Sequence, residues 1–275
     1  MKNIPKILHL FWDGSKMSYL QTITPLSFHK LNPDWKIKIH YITTGGKGNE
    51  KYVPNYTGDD FSGTLKSYKY IEFIPVDLKE YPQLNNPSSI LKSDYLRMIW
   101  LRDEGGLWSD FDVIWLKSIK ELTETKAVEN SLSSDKWETM TCRYNGVGHY
   151  SIGVLFSTPN NPIILNLLKE ADRKLKFNKV ISFQGLGPDL WFETYKNNWD
   201  YLPYENIVHF NYHLFYPFSI FNLKVLYEMN INPDSMIKES VCLHWFAGHL
   251  LSKNYINNPD SLKINNTINN LIRVI

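Results

Sequence analysis

Short apolar runs of strand length alternate with helix-length segments along almost all of this 275-residue chain. That alternation, more than any single motif, restricts what it can fold into: it is the pattern of an α/β protein built on a largely parallel sheet. Ile4 to Trp12 (IPKILHLFW) is apolar and ends at Asp13-Gly14, as expected of a buried first strand and its turn. Lys36 to Ile42 alternates polar and apolar residues and reads as a second strand. A polar, Gly-rich loop (Thr43 to Asp60) and a third strand (Tyr70 to Val76) follow. Asn86-Pro87-Ser88 starts a helix with Ile90, Leu91, Leu96 and Ile99 on its stripe, and Gly105-Gly106 ends it. Leu107 to Leu116 is strand-like but broken by Asp-Phe-Asp.

Further strands are expected at Trp137 to Arg143, Ser151 to Ser157 and Val241 to Trp245. Helices are expected from Pro162 to about Lys176, from Gly187-Pro188 to about Lys196, and from Asp260 to Ile272. Ile207 to Leu226 is aromatic and irregular. With no internal repeat and no low-complexity linker, residues 1–275 are expected to form one domain.

The charge balance narrows the class of partner. Lys+Arg 30 against Asp+Glu 28 gives a net charge of +2, which argues against a dedicated nucleic-acid binder or a polybasic membrane-surface protein. Two cysteines, Cys142 and Cys242, exclude a disulfide scaffold and a Cys-based zinc module. The amino terminus lacks a signal-peptide core, and no run of about 18 apolar residues exists. A cytoplasmic protein without a transmembrane segment is therefore expected. Aromatic residues are abundant at 15%, which suits a core or flat surfaces that stack on bases and sugars. His209 and His213 have a helical zinc spacing, but the surrounding Tyr212, Phe215 and Pro217 argue against a helix there. Gly45-Gly46-Lys47-Gly48 lacks a P-loop's spacing and following helix, so it is expected to be a surface loop.

The densest chemistry lies at Ser93-Asp94-Tyr95-Leu96-Arg97 and at Gly105-Gly106-Leu107-Trp108-Ser109-Asp110-Phe111-Asp112. Carboxylates at i and i+2 after an apolar strand can face one side. Held close, they repel, so the pair calls for a cation between them. Carboxylate oxygens suit Mg²⁺ or Mn²⁺, which keep positions open for diphosphate oxygens. A solvated acidic turn is the simpler reading of a lone DxD, but the apolar Trp108, Phe111, Val113 and Ile114 around it make that costly. Asp94 and Arg97 sit at i and i+3 on one helix face, either as a surface ion pair or as a polar pair aimed at ligand hydroxyls.

These residues resemble glycosyltransferase family 32, the DxD group of capsular, mannosyl and α-1,4-galactosyl transferases, and are similar to the glucosylating domains of large clostridial toxins. Four blocks carry the resemblance: Ile4-Pro5-Lys6-Ile7-Leu8-His9 with Trp12; Ser93 to Arg97 with Gly105 to Asp112; Gly187-Pro188 within Gln184 to Leu190; and His244 to His249. The last departs from the family's usual His-His-Trp-x-x-Ser-Trp, with His249 and Leu250 at the Ser and Trp positions. The resemblance implies a GT-A fold, a Rossmann-like nucleotide-binding half with a mixed central sheet fused to an acceptor-binding half. It implies a hexosyltransferase that retains anomeric configuration. The donor would be a UDP- or GDP-sugar, the acceptor a hydroxyl of a glycan or glycoconjugate, and the cation Mn²⁺ or Mg²⁺.

Residue roles follow from the same likeness. Trp12 stacks on the base, or is core. Asp112 ligates the metal. Asp110 reaches it directly or through water, or contacts the ribose and sugar. His244 is the candidate third ligand, or a core histidine. Asp94 and Arg97 hold sugar hydroxyls. His249 substitutes as a ligand or meets the diphosphate as a cation. Asp189 faces the acceptor or the anomeric carbon, or favours its helix N-terminus. The altered fourth block motivates an alternative, a nucleotide-sugar- or glycan-binding protein without catalysis. A sugar nucleotidyltransferase would need a Gly-rich basic signature after the first strand, and Asp13-Gly14-Ser15-Lys16 is a poor version of one.

Overall fold

The computed structural model describes residues 3–13, 15–42, 56–85, 87–124, 138–143, 150–177, 180–195, 207–232, 234–238 and 240–275. The Gly45–Gly48 loop, Gly14, Asn86, Trp137 and Lys196 lie outside them. Nine strands are described: β1 (Ile7–Trp12), β2 (Lys36–Ile42), β3 (Ile71–Val76), β4 (Gly106–Ser109), β5 (Val113–Trp115), β6 (Thr139–Arg143), β7 (Tyr150–Ser157), β8 (Ile207–Asn211) and β9 (Cys242–His244). The described helices are α1 (Tyr19–Leu31), α2 (Ser62–Lys66), α3 (Ser89–Asp103), α4 (Ile119–Glu124), α5 (Pro162–Phe177), α6 (Pro188–Tyr195), α7 (Lys224–Tyr227), α8 (Asp234–Ile237), α9 (Leu250–Asn257) and α10 (Thr267–Val274). None of them is long and apolar enough to cross a membrane.

Seven strands form one sheet in the order β3-β2-β1-β4-β7-β6-β8. β1 is parallel to β2 and β4, β2 to β3, and β6 to β8. β7 runs antiparallel to both of its neighbours, so the sheet is mixed. The reason is local. Only residues 144–149 separate β6 from β7, and a parallel pairing needs a crossover of roughly a dozen residues or more. β5 leaves this sheet and pairs antiparallel with β9 in a separate two-stranded ribbon.

β1 is apolar on both faces because it is central: Leu8, His9 and Leu10 are fully buried. His9 sits in this core as a hydrogen-bonded residue. Its Nε2–H donates to the Gly105 carbonyl at 2.9 Å, which leaves Nδ1 to accept from His40 Nε2–H at 3.0 Å. His40 stacks on Trp100 at 3.8 Å. Gly105 and Gly106 both have positive φ (+66° and +102°), and a Cβ on Gly106 would lie 2.5 Å from the Ile7 carbonyl. Glycine there is what lets β4 start flush against β1.

One helix escapes a sequence reading. α1 contains Pro25 and a polar, β-branched stretch (Gln21, Thr22, Thr24), which weakens helical propensity. It forms because a capping box joins Ser18 to Gln21 and because Leu20, Ile23 and Phe28 are buried. The carboxy-terminal segment also differs from expectation: a 3₁₀ turn (Ser261–Lys263) precedes α10, which begins only at Thr267, capped by the Asn266 side chain. The aromatic stretch is mostly core, since Phe210, Tyr212, Phe215, Tyr216 and Phe218 are all buried.

The buried histidines give the fold a pH signature. Burial holds His9 down at about 4 and His40 at about 2. The unfolded chain, with ordinary histidines near 6.5, therefore binds more protons below that pH, and stability is lost as pH falls from about 6.5 toward 4. Each histidine contributes about 2 kcal/mol of loss between pH 6.5 and 5. Denaturant unfolding of wild type and His40→Gln at pH 7.5 and pH 5 should show the smaller acid loss in the variant.

Candidate active site

A cleft of about 980 Å³ opens at the carboxy-terminal ends of β1 and β4, where ligands bind in open α/β sheets. Its floor is built by the chain's move from one sheet to the other. Trp108 and Ser109 end β4 in the large sheet, and Val113 begins β5 in the ribbon. Asp110-Phe111-Asp112 forms the turn between them. The Asp110 amide donates to the Gly153 carbonyl at 2.8 Å, and the Phe111 carbonyl accepts from the Thr24 hydroxyl of α1 at 2.8 Å. Ser27 of α1 accepts the Trp115 amide at 3.0 Å.

The ribbon register places Val113 opposite His244. His244 Nε2 consequently meets Asp112 Oδ1 at 3.0 Å. Its Nδ1 accepts the Phe246 amide at 3.2 Å, so the proton sits on Nε2, toward Asp112. Phe246 has φ +53°, an uncommon conformation for a bulky residue. Next to it, the Ala247 amide donates to Asp112 Oδ2 at 2.8 Å. One ligand atom each from Asp110, Asp112 and His244 lie within 4.8 Å of one another.

Asp94 and Arg97, on α3, border this cluster. Arg97 Nη2 donates to Asp94 Oδ1 at 2.7 Å and lies 3.4 Å from Asp110 Oδ1, and Nη1 donates to the Ile152 carbonyl at 2.6 Å. The guanidinium carbon sits 4.6 Å from the Trp108 ring centre, and Trp108 Nε1 donates to Asp110 Oδ1 at 2.8 Å. Arg97 is therefore a buried clamp joining two carboxylates, more than a helix-surface partner of one.

Burial and the facing Asp110 push the Asp94 carboxyl up to about 7, against the pull of Arg97. Burial likewise raises Asp110, with Arg97 opposing and Asp112 assisting. Desolvation alone would raise Asp112 too, but His244 and the Ala247 amide bring it below the usual range. Burial would lower His244, but Asp112 more than offsets that and holds it above its ordinary value.

The remaining expected residues fall around this centre. Trp12, at the end of β1, lines the cleft with its Nε1 donating to the Ser15 carbonyl at 2.7 Å and Phe111 edge-on at 5.3 Å. His249 also lines it, but its Nδ1 accepts the Leu251 amide at 3.2 Å as the cap of α9. Asp189 is the second residue of α6 and accepts the Ser182 hydroxyl at 3.2 Å; its neighbours Gln184 and Pro188 line the cleft. Two contributors were not singled out from sequence. Tyr216 packs 5.2 Å from the His244 ring and is bonded to Ser151. The Ala247 amide has no side-chain signal at all, and the φ of Phe246 that presents it cannot be seen in residue types.

Donor oxygens and nitrogen of Asp110, Asp112 and His244 suit a divalent cation, and the surplus of carboxylate in the cleft (Asp13, Asp94, Asp110, Asp112 against Arg97 and Lys16) is what a cation would balance.

Residues 24–131 match the family model described as a glycosyltransferase sugar-binding region containing a DXD motif. A toxin of Photorhabdus asymbiotica is 25% identical over 201 residues, which cover 70% of this chain and 6% of the toxin. Among solved structures, the PaToxG glycosyltransferase is similar at 22% identity over 71% of this chain and 70% of that one, with a TM-score of 0.51. The ligand-free glycosyltransferase domain of the YGT toxin is similar at 11% identity over 76% of this chain and 80% of that one, with a TM-score of 0.43. The fold is the mixed α/β arrangement of the GT-A glycosyltransferases, with the seven-stranded sheet at its centre.

Arg97→Met would leave Asp94 and Asp110 buried without their cation. The expected cost is about 3–5 kcal/mol at pH 7.5, measured by urea unfolding. Relative to wild type the deficit should shrink at pH 5: both carboxyls are raised in the folded state, so protonation favours folding.

Proposed function

We propose that this chain is a cation-dependent glycosyltransferase that moves a hexose from a UDP- or GDP-sugar to a hydroxyl of a glycan or protein-linked acceptor, with retention of configuration. The observation that carries this reading is the joining, in one cleft, of the Asp110–Asp112–His244 cluster to the Asp94–Arg97 pair. A cation-ligand set on its own is common. One set beside the buried Asp94–Arg97 pair, in a cleft that the Trp12 ring also lines, supports a nucleotide-sugar site.

Bound by Asp110, Asp112 and His244, Mn²⁺ or Mg²⁺ supplies positive charge to offset what builds on a departing nucleoside diphosphate. The chain's own residues do the positioning. Trp12 offers its ring to the base. Asp94 accepts from sugar hydroxyls while Arg97 fixes its carboxylate, so the donor is held with its anomeric carbon in place. The Ala247 amide and His244 keep Asp112 in one orientation. The acceptor hydroxyl approaches from the leaving-group side, and its proton passes to the departing phosphate as the new glycosidic bond forms. His249 lines the cleft as the cap of α9, and Asp189, next to the cleft-lining Pro188, is assigned to the acceptor or the anomeric carbon. Both cysteines are free and buried, which fits a cytoplasmic setting.

The test is calorimetry of UDP, GDP and their sugars with and without Mn²⁺, followed by an assay for released nucleoside diphosphate. Wild type should bind one nucleotide in a Mn²⁺-dependent manner and turn its sugar over. Asp112→Asn should abolish the cation-dependent part of both signals while keeping the wild-type circular dichroism; undiminished turnover in that variant would sink the assignment. Binding without any release of diphosphate would favour the non-catalytic alternative. Trp12→Ala should weaken nucleotide binding about tenfold, from loss of stacking worth about 1–2 kcal/mol.

A further inference from the structure

Gly187 immediately precedes Pro188, the first residue of α6, and its carbonyl accepts the Trp191 amide at 3.3 Å. Its φ lies outside the left-handed region, so backbone conformation does not call for glycine. Space does. A Cβ at this position would lie 2.8 Å from Asp94 Oδ2 and 2.7 Å from Ile152 Cδ1. Asp94 is only 4% exposed, yet it lines the cleft. Its Oδ1 is committed to Arg97, and among the described residues no hydrogen bond engages Oδ2. The oxygen that Gly187 leaves uncovered is thus the one with accepting capacity to spare.

Gly153 stands in the same relation to the other carboxylate. Its Cβ would come within 3.0 Å of Asp110 Oδ2, 2.8 Å of the Tyr216 hydroxyl and 3.4 Å of His244 Cδ2. Asp110 Oδ1 is engaged by Trp108 and Arg97. The two glycines therefore open two different oxygens, one on Asp110 within the cation-ligand cluster and one on Asp94 at its border.

We infer that Gly187 is a specificity-determining residue: by leaving Asp94 Oδ2 uncovered it reserves a place for a free hydroxyl of the transferred sugar, and so selects donors unsubstituted at that hydroxyl. The inference rests on the transfer reading above. A side chain at 187 would act on the sugar and spare the nucleotide, whereas one at 153 would press on the cation cluster and affect both.

The experiment uses Ile152→Val as the parent, because that change removes Cδ1 and leaves Asp94 as the one close neighbour of a new Cβ. Affinities for UDP, GDP, UDP-glucose, UDP-N-acetylglucosamine and GDP-mannose are measured by calorimetry with Mn²⁺ in the parent, in Ile152→Val/Gly187→Ala and in Gly153→Ala. Thermal unfolding confirms that each is folded. The Gly187→Ala double variant should lose about tenfold or more in affinity for the sugar conjugate that wild type binds best, with less than about twofold change for the matching diphosphate. Gly153→Ala should weaken both together. Equal losses for sugar and diphosphate in the double variant, or no loss for either, would overturn the role of Gly187 and leave the transfer reading standing. Wild type binding none of the five would overturn the transfer reading, and the inference with it.

Discussion

The site depends on the chain's passage between two sheets at Asp110-Phe111-Asp112. β4 belongs to the seven-stranded sheet and β5 to the ribbon with β9, so the turn between them is fixed at both ends by different ladders. The Gly153 carbonyl and the Thr24 hydroxyl hold its middle. The same ribbon brings His244 beside Asp112 from more than a hundred residues away. A loop free at one end would let two carboxylates separate and relax. This one cannot, and the repulsion it keeps in place is what a bound cation would relieve.

Arg97 settles how much negative charge the cleft retains. It neutralises part of Asp94 and Asp110 through their Oδ1 atoms, stacks on Trp108, and is tied to the Ile152 carbonyl. Each carboxylate keeps a second oxygen. A buried pair of this kind adds little to stability, because desolvation offsets most of the attraction. Its value lies in orientation: two acceptors at fixed places, each with a glycine opposite. The near-neutral charge of the whole chain is consistent with this, since an anionic ligand would be met by a cation and a few local groups with no broad basic surface.

Much of the architecture was legible in residue pattern. β1, β2 and β3, the helix after Ser88, the break at Asp-Phe-Asp and α5 all follow from apolar runs and their punctuation. α1 was not legible, because Pro25 and its hydroxyl residues disguise it. Those residues are there for tertiary reasons: Thr24 and Ser27 hold the acidic turn and β5. The mixed sheet was implied by the family resemblance, and the short link between β6 and β7 is the local reason that β7 runs antiparallel. The aromatic stretch was ambiguous by composition, and burial resolves it mostly as core, with Tyr216 and Ile220 reaching the cleft.

Sequence alone determined which groups are present and which lie close along the chain. Asp110 and Asp112 flank one residue, Asp94 and Arg97 share a helix face, and Trp12 ends the first strand. Spacing along a strand or helix fixes such neighbours, because the backbone repeat is known in advance. Tertiary structure decided everything that joins distant segments. It put His244 against Asp112, made Arg97 a clamp on two carboxylates, turned His249 toward capping α9, and placed Gly153 and Gly187 where a methyl group would not fit. Register between strands and the φ of a single residue such as Phe246 set those contacts, and neither is written in the identity of the residues that make them.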